Sequence, residues 1–509
     1  MTISLSGRTL SPAEVVSIAR GYQQIVIDPA TLEALATDRG VIDALVAHGT
    51  PVYGVSTGFG SLATTFITPD QRRNLQQSLI RSHAAGMGDE VEEEVIRAMM
   101  VCRLATLCSG VTGVRPEVAQ LYCDMLNARI TPVVMEFGSL GCSGDLAPLA
   151  HIALAAMGEG DVRDALGERR PASEALAAAG LTAVTLAEKE GLALINGTDG
   201  MLGQLVLALA DASELLRVAD VTASLSIQAL RGTDRVFAAD VQQLRPHRGQ
   251  RDSASNLLAL LKDSPIVASH LDDSTQVQDA YSLRCAPQVH GAARDTLRHA
   301  SEVAEIELAS RIDNPSVMGD GRLESNGNFH GAPVAYVLDF CAIVLADVAS
   351  MAERRTDRIL DPSRNYGLPA FLAHQPGVDS GLMIAQYTQA GLVTEMKRWA
   401  VPASVDSIPS SAMQEDHVSL GWHAARKLRH SIDALRRVLA IELVTASRAM
   451  ALRSPLVASP VGRAVGDAVL RVAGAPGSDR YLAPELAAAN DLLAAGEVTR
   501  LVAEFVTLA

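Results

Sequence analysis

The sequence predicts a mainly α-helical protein with a central bundle of long, near-parallel helices. Three observations lead to this fold class. Apolar residues make up 48% of the 509 residues and aromatic residues only 4%, which favours closely packed helices over a sheet sandwich. Apolar residues also recur at i, i+3 and i+4 over windows that are long for a small domain. Clusters of glycine and proline separate these windows.

The chain begins with two predicted helices. Ser11, Pro12 and Glu14 combine a capping side chain, a proline at the first helical position and a capping-box glutamate, so a helix is expected to start there. A second helix is expected to open at Asp28-Pro29 and to stop at Gly49.

A glycine-rich stretch at 51–69 is predicted to be an irregular, movable loop. Tyr53 is the aromatic residue of this stretch that carries a polar group. The helical pattern returns near residue 69 and breaks again around 138–145. The stretch 158–173 is rich in glycine, proline and charge, and is expected to form a short excursion of strands or turns.

Long helical patterns follow and define the bundle. They cover 201–230, 288–309, 333–358, 381–399 and 419–452. A helix of about 27 residues spans roughly 40 Å, which suits the spine of a bundle. The connecting segments 278–284, 326–330 and 413–415 are expected to be loops. Shorter helices are expected after residue 452, so the predicted domains are 1–200, 201–452 and 453–509.

Charge and composition exclude several classes of partner. The 43 basic and 58 acidic residues give a net charge of −15, which repels phosphate backbones and anionic membrane surfaces. The most apolar helical stretch, 333–349, is interrupted by Asp339 and Asp347, so no membrane span is expected. No nucleic acid and no membrane are therefore expected as partners.

The six cysteines and the N-terminus point to the cytoplasm. The cysteines are scattered without CxxC pairing, which argues against a zinc site or a disulfide framework and fits reduced thiols. The first residues, MTISLSGRTLSPAE, have neither the basic nor the apolar region of a secretory signal.

The segment 138–151, GSLGCSGDLAPLAH, contains the ingredients of a self-formed electrophile. A tight bend at Gly144 can bring its nitrogen against the carbonyl of Cys142 and close a five-membered ring. Loss of water across the Ser143 side chain then gives 4-methylidene-imidazol-5-one (MIO). Only glycine leaves its nitrogen unhindered enough to attack, and Cys142 contributes just its carbonyl carbon.

Other interpretations of this triad stay open from these residues alone. A serine beside glycines is commonly a turn. A serine-hydrolase elbow needs G-x-S-x-G, and here the second glycine comes one place early. A cysteine nucleophile at Cys142 is conceivable, although it lacks a diagnostic family context.

The segment resembles the signature of the aromatic amino acid ammonia-lyase family, whose usual triad is Ala-Ser-Gly. Six further segments match this family in order: PVYGVSTGFG (51–60), RSHAAGMG (81–88), EGLALINGTDG (190–200), VQDAYSLRCAPQV (277–289), NGNFHG (326–331) and SSAMQEDHVS (410–419). The resemblance covers essentially the whole chain and is closest to histidine-acting, actinobacterial members. It implies the ammonia-lyase (fumarase/aspartase-like) architecture, an autocatalytic MIO without an external cofactor or metal, and a homotetramer with shared active sites.

The resemblance also implies roles for individual residues. Tyr53 matches the catalytic base, Asn196 and Tyr281 match polar residues around the MIO and the departing amine, Arg284 matches the partner of the substrate carboxylate, and Phe329 and Gln278 match the pocket wall. Asp145 is expected to brace the triad turn. The chain departs from the family pattern at Cys142, where alanine is usual, and at Met413, where many members have asparagine.

Substrate choice is expected to depend on His83 and Glu415. A carboxylate and an imidazole facing one pocket can pair with both nitrogens of a substrate imidazole, and a phenyl ring would leave them unpaired. The resemblance therefore implies conversion of L-histidine to trans-urocanate and ammonia. A phenylalanine or tyrosine ammonia-lyase, an aminomutase and a catalytically silent helical scaffold are the alternatives.

Overall fold

The protein is described here by a computed structural model that covers residues 2–48, 57–58, 65–272 and 277–509. Helices dominate these ranges. The α-helices are α1 (Pro12–Gly21), α2 (Pro29–His48), α3 (Arg72–His83), α4 (Glu93–Leu107), α5 (Pro116–Asn127), α6 (Leu146–Ala156), α7 (Ala172–Ala178), α8 (Glu190–Ile195), α9 (Asp199–Ala229), α10 (Ala239–Gln243), α11 (Arg248–Leu261), α12 (Pro265–Ala268), α13 (Tyr281–Arg284), α14 (Ala286–Ala309), α15 (Ala332–Leu360), α16 (Met383–Trp399), α17 (Gly421–Ala451), α18 (Pro460–Ala473), α19 (Ala483–Ala494) and α20 (Glu497–Ala503).

The strands are short. They are β1 (Ile3–Leu5), β2 (Ile25–Ile27), β3 (Met87–Glu90), β4 (Thr131–Pro132), β5 (Met135–Phe137), β6 (Asp161–Arg163), β7 (Arg169–Pro171), β8 (Ser316–Val317) and β9 (Leu323–Glu324). β1 pairs with β2 in parallel, whereas β3 with β5, β4 with β6, β6 with β7 and β8 with β9 are antiparallel. The β6–β7 pair confirms the excursion of strands expected at 158–173.

The chain divides into two compact units. The first comprises Met1–Ala208, Ala300–Asp339 and Pro402–Arg426, and the second comprises Leu209–His299, Phe340–Val401 and Lys427–Ala509. The first unit holds every strand of the described residues. Within it α1 packs on α4, and α6 packs on α3 and α8. The long helices α9, α14, α15 and α17 contribute residues to both units.

Local signals in the sequence place the first helices correctly. The Ser11 hydroxyl accepts the Glu14 N–H at 3.3 Å, and the Glu14 carboxylate accepts the Ser11 N–H at 2.9 Å, so the predicted capping box is confirmed. At α2 the Asp28 carboxylate accepts the Ala30 N–H at 2.9 Å, and the helix continues to His48 as predicted.

In its described residues the second unit contains helices and connecting loops and none of the named strands. The five long helical patterns correspond to α9, α14, α15, α16 and α17, and each helix begins and ends within two residues of its predicted limits. The segment 278–284, expected to be a loop, instead ends in the single turn α13. The helices α10, α11 and α12 correspond to no predicted element. A helix of four or five residues is too short to show a helical period, which explains why α10, α12 and α13 were missed.

Helix α15 is the most apolar long helix of the described residues. Its length and a mean hydropathy of 1.9 over 18 residues would suffice to cross a membrane. However, 61% of that window is buried inside the protein, as is usual for the core helix of a globular protein.

Candidate active site

The triad lies on a loop of the first unit between β5 and α6. Gly144 has φ +82°, a conformation that side chains disfavour, and its backbone runs beside that of Gly197. A Cβ at Gly144 would lie 1.9 Å from the Gly197 carbonyl oxygen. The neighbouring Asp145 N–H donates to that oxygen at 2.8 Å. This close approach therefore requires glycine at position 144.

A second segment of the first unit holds the start of the same loop. The Ser419 hydroxyl donates to the Gly141 carbonyl at 3.0 Å, and the Leu420 N–H donates to the Leu140 carbonyl at 2.9 Å. A Cβ at Gly141 would lie 2.3 Å from the Ser419 Oγ. The triad is therefore anchored on both sides by segments distant in the sequence.

Asp145 connects the loop to the start of α9. It is fully buried and accepts the Ser139 hydroxyl at 2.9 Å and the Met201 N–H at 2.8 Å. The Ser139 Oγ in turn accepts the Gly141 N–H at 3.1 Å. Burial raises the pKa of the Asp145 carboxyl to about 7, and its hydrogen bonds only partly oppose this. These contacts are those of a side chain that braces the turn.

Glu415 lies directly against the triad. Its Oε1 accepts the Ser143 hydroxyl at 3.2 Å, and its Oε2 accepts the Ser410 hydroxyl at 2.8 Å. The backbones of Ser410 and Glu415 also exchange two hydrogen bonds, which fix the direction of this carboxylate. Burial, together with the Glu415 charge, raises the pKa of the Cys142 thiol to about 12, so the thiol stays neutral.

His83 ends α3 close to Glu415. Burial lowers the pKa of the His83 imidazole, opposed by its bond to Leu79 and by the Glu415 charge, so the ring is neutral at pH 7. Its Nδ1 lies 2.9 Å from the Leu79 carbonyl oxygen and 3.1 Å from the Ser82 Oγ. The Ser82 hydroxyl donates to the same carbonyl at 3.0 Å, so Nδ1 carries the proton and donates to Leu79, and Nε2 is left as an acceptor.

Asn196 follows α8 and precedes the glycine that cradles Gly144. Its Nδ2 donates to the Asn314 carbonyl at 2.8 Å, while its Oδ1 is buried with no hydrogen-bond partner among the described residues. Arg103, fully buried, donates to the Asn196 carbonyl at 2.9 Å and pairs with Asp199 at 2.8 Å. Phe329 is half-buried in the turn before α15 in the same unit.

The other predicted site residues lie elsewhere in the chain. Gln278, Tyr281 and Arg284 belong to the second unit, where Tyr281 and Arg284 are the first and last residues of α13. The Arg284 Cζ lies 4.7 Å from the centre of the Tyr281 ring, a cation–π contact. Gln278 is exposed. Tyr53 lies outside the described residues.

Comparison with known proteins decides the family. A model of the aromatic amino acid lyase family matches residues 10–471. The chain belongs to this family. It is 61% identical to a histidine ammonia-lyase from Streptomyces coelicolor over 98% of this chain and 97% of that protein. It is 62% identical, with the same coverage, to a histidine ammonia-lyase from Streptomyces avermitilis.

Solved structures of similar proteins share the fold. A tyrosine aminomutase from Streptomyces globisporus matches with a TM-score of 0.94 at 35% identity over 100% of both chains. A histidine ammonia-lyase from Trypanosoma cruzi matches with a TM-score of 0.91 at 37% identity over 100% of this chain and 96% of that one. The predicted family and the mainly α-helical ammonia-lyase fold are confirmed. Because both activities occur on this fold, substrate choice must be argued from the site.

Sequence reasoning about this aromatic amino acid lyase missed three residues that hold the site. They are Arg103, Ser139 and Ser419. An arginine inside the apolar stretch MMVCRLATL was a usable signal for Arg103, because a charge there must be buried and paired. No comparable signal marks the two serines, whose hydroxyls bind the Asp145 carboxylate and backbone groups of the triad loop.

Proposed function

We propose that the chain catalyses the non-oxidative elimination of ammonia from L-histidine, giving trans-urocanate. It is a carbon–nitrogen lyase, and the names of its relatives at 61% and 62% identity support histidine as the substrate. The observation that carries the proposal is the hydrogen bond of the Glu415 carboxylate to Ser143, with His83 near enough for the Glu415 charge to act on its pKa. This pair offers polar partners to an imidazole at the triad itself.

The triad is proposed to cyclise to MIO. The Gly144 nitrogen attacks the Cys142 carbonyl carbon and one water leaves; a second leaves when Ser143 loses its α-hydrogen and hydroxyl. Two features fit such a ring. One is the tight cradle at Gly144, and the other is the Asn196 Oδ1, which lies next in sequence to Gly197 and has no hydrogen-bond partner in the part of the chain that the structure describes. The ring supplies an electrophilic methylidene carbon that takes up the substrate amine.

Glu415 and His83 are proposed to recognise the substrate ring. When the Ser143 hydroxyl leaves, Glu415 Oε1 loses that hydrogen bond and can accept the N–H of the substrate imidazole. His83 Nδ1 donates to the Leu79 carbonyl, so its Nε2 can accept the second N–H of a protonated substrate imidazole. An imidazolium ring, with two N–H groups, satisfies both groups, whereas a phenyl ring leaves both unpaired.

The remaining steps are proposed for residues that the family resemblance assigns. Tyr53 removes the β-proton. Arg284 binds the substrate carboxylate through its planar guanidinium. Tyr281 and Asn196 lie beside the departing amine. Phe329 and Gln278 complete the wall of the pocket.

The test uses the purified full-length protein. We expect an intact mass two waters below that of the sequence, and release of urocanate from L-histidine, followed by its ultraviolet absorbance. An unmodified mass with no urocanate would overturn the proposal. Release of a cinnamate or of a β-amino acid from phenylalanine or tyrosine, without urocanate, would instead assign the chain to the alternative activities.

We further propose a cytoplasmic homotetramer with shared active sites. On α15 the side chains of Tyr336, Phe340 and Ile343 follow one helical face and are 58%, 46% and 42% exposed, which favours burial against a second copy. All six cysteines are free, which fits a reducing compartment.

A further inference from the structure

A buried ion pair lies at the centre of the second unit. Arg355 on α15 and Glu442 on α17 are both fully buried and bind each other through two hydrogen bonds, of 2.5 Å and 3.0 Å. Two hydroxyls of α9 donate further hydrogen bonds to the Glu442 carboxylate, from Thr222 at 2.8 Å and from Ser226 at 2.7 Å. These four contacts hold the Arg355 guanidinium in one orientation.

Arg355 makes a third contact, with the short helix α13, which carries two of the proposed active-site residues. Its Nη1 donates to the Ser282 carbonyl at 3.3 Å. Ser282 is the second residue of α13, between Tyr281 and Arg284.

Helix α13 depends on outside support. It has only four residues, and a single helical turn is not stable by itself. Pro287, four residues after Leu283, has no N–H to donate to the Leu283 carbonyl, so the hydrogen-bond ladder is interrupted where α13 meets α14.

We propose that Arg355 is a positioning residue for Tyr281 and Arg284. Glu442 fixes the Arg355 guanidinium, and the guanidinium fixes the turn that carries both side chains. Tyr281 and Arg284 move together because the Arg284 cation lies over the Tyr281 ring. This inference rests on the proposed function, since it is there that these two residues act on the substrate.

The test is the variant Arg355→Lys. Lysine keeps a positive charge opposite Glu442, but its single nitrogen cannot reach both carboxylate oxygens and the Ser282 carbonyl. We expect kcat/KM for L-histidine to fall about 10- to 100-fold, the effect of misplacing groups that orient the substrate. Amide hydrogen exchange in the segment 277–289 is expected to become faster.

Arg453→Lys is the matched control. Arg453 lies in the same unit and also donates to backbone carbonyls, those of Ala229, Tyr366 and Asn365, but it does not touch α13. Its replacement is expected to lower the melting temperature and to leave kcat, KM and exchange at 277–289 unchanged. Equal kinetic losses in the two variants would show a general structural effect and overturn the inference.

Two further measurements separate the possible outcomes. In an Arg284→Lys background, Arg355→Lys is expected to lower kcat/KM by a smaller factor than it does alone. Both residues act through one contact with the substrate, which the first substitution already weakens. If Arg355→Lys does not fold, the neutral pair Arg355→Gln with Glu442→Gln replaces it, with the same expected losses.

Failure of the inference and failure of the proposed function are distinguishable. A wild type without urocanate production contradicts the proposed function, while hydrogen exchange still tests the support of α13. An active wild type whose Arg355 variants keep wild-type kinetics and exchange contradicts the inference alone.

Discussion

At the scale of single residues, the contact between Ser143 and Glu415 connects the proposed electrophile with substrate choice. One Glu415 oxygen is occupied by the hydroxyl that cyclisation removes, and the other is held by Ser410. Formation of the ring therefore frees one acceptor at a fixed place. The same carboxylate is close enough to His83 to act on its pKa.

Ser143→Ala tests the source of the electrophile. Alanine has no hydroxyl to lose, so kcat for urocanate formation is expected to fall by at least about a thousandfold. The folded protein should be retained. Cys142→Ala serves as the control and should keep wild-type activity within a few fold, because only the carbonyl of that residue enters the ring. Wild-type turnover by Ser143→Ala would contradict the mechanism.

Glu415→Gln tests recognition of the substrate ring. The amide offers a donor where the carboxylate accepts, so kcat/KM for histidine is expected to fall about 100-fold while the slow reaction with phenylalanine changes little. His417→Gln is the neighbouring control, since His417 is exposed and contacts His330 instead of the triad. If kcat/KM falls by the same factor for histidine and for phenylalanine, Glu415 is not a specificity residue.

At the scale of elements, the triad loop takes its conformation from packing against other segments. Its two critical glycines have positive φ and meet Gly197 and Ser419, which lie beyond the loop in the sequence. Asp145 ties the same loop to the first turn of α9. The loop and the starts of α6 and α9 therefore form one rigid support.

Gly144→Ala is expected to block cyclisation. The added methyl would lie 1.9 Å from the Gly197 carbonyl oxygen, so the loop must shift and the intact mass should lose no water. Gly167→Ala is a matched control, because Gly167 has a similar φ of +78° but open space around its Cα. That variant should show only a strain cost of about 1–2 kcal/mol and a normal mass loss. A normal mass loss in Gly144→Ala would refute the role of the cradle.

Asp145 predicts a pH dependence of stability. The pKa of its carboxyl is about 7 in the folded protein and about 4 in the unfolded chain, so between these values the folded state holds the extra proton. The contribution of this group to the free energy of unfolding is therefore full below pH 4 and falls as the pH rises to 7. Asp145→Asn resembles the protonated acid and does not titrate.

Melting temperatures of wild type and Asp145→Asn measured from pH 4.5 to 8 check this. The variant should gain stability relative to wild type as the pH rises, and the difference should level off above about pH 7. A constant difference over this range would mean that Asp145 is ionised throughout.

At the scale of the whole molecule, the proposed site residues are distributed over both compact units. The triad, His83, Asn196 and Glu415 belong to the first unit, and Tyr281 and Arg284 belong to the second. The exposed apolar face of α15 supports a subunit contact. Together these features favour an enzyme whose activity depends on assembly.

Complementation between inactive variants tests this. We expect a tetramer by light scattering, and we expect a mixture of Tyr53→Phe and Arg284→Ala chains to recover part of the activity after subunit exchange. Recovery follows because some sites then receive both intact residues from different subunits. A fully active monomer would contradict shared active sites.

Predictions from local signals were the most successful. The capping box at Ser11, the start of α2 at Asp28-Pro29 and the limits of the five long helices all depend on neighbouring residues or on a helical period, which are visible in the sequence. The one-turn helix α13 was expected to be a loop because four residues give no period. The role of Arg355 was likewise invisible, since its partners lie 87 and 73 residues away.

The family, the helical fold and the chemistry that the triad permits all follow from the amino-acid sequence, because they depend on residue types in a fixed local order. Which groups meet in space is visible in the folded chain alone. Ser143 and Glu415 are 272 residues apart, and Gly144 lies directly against Gly197, which follows α8. Contacts of this kind arise from the packing of whole elements, where a difference of one side chain, such as a Cβ at Gly144, allows or forbids the approach.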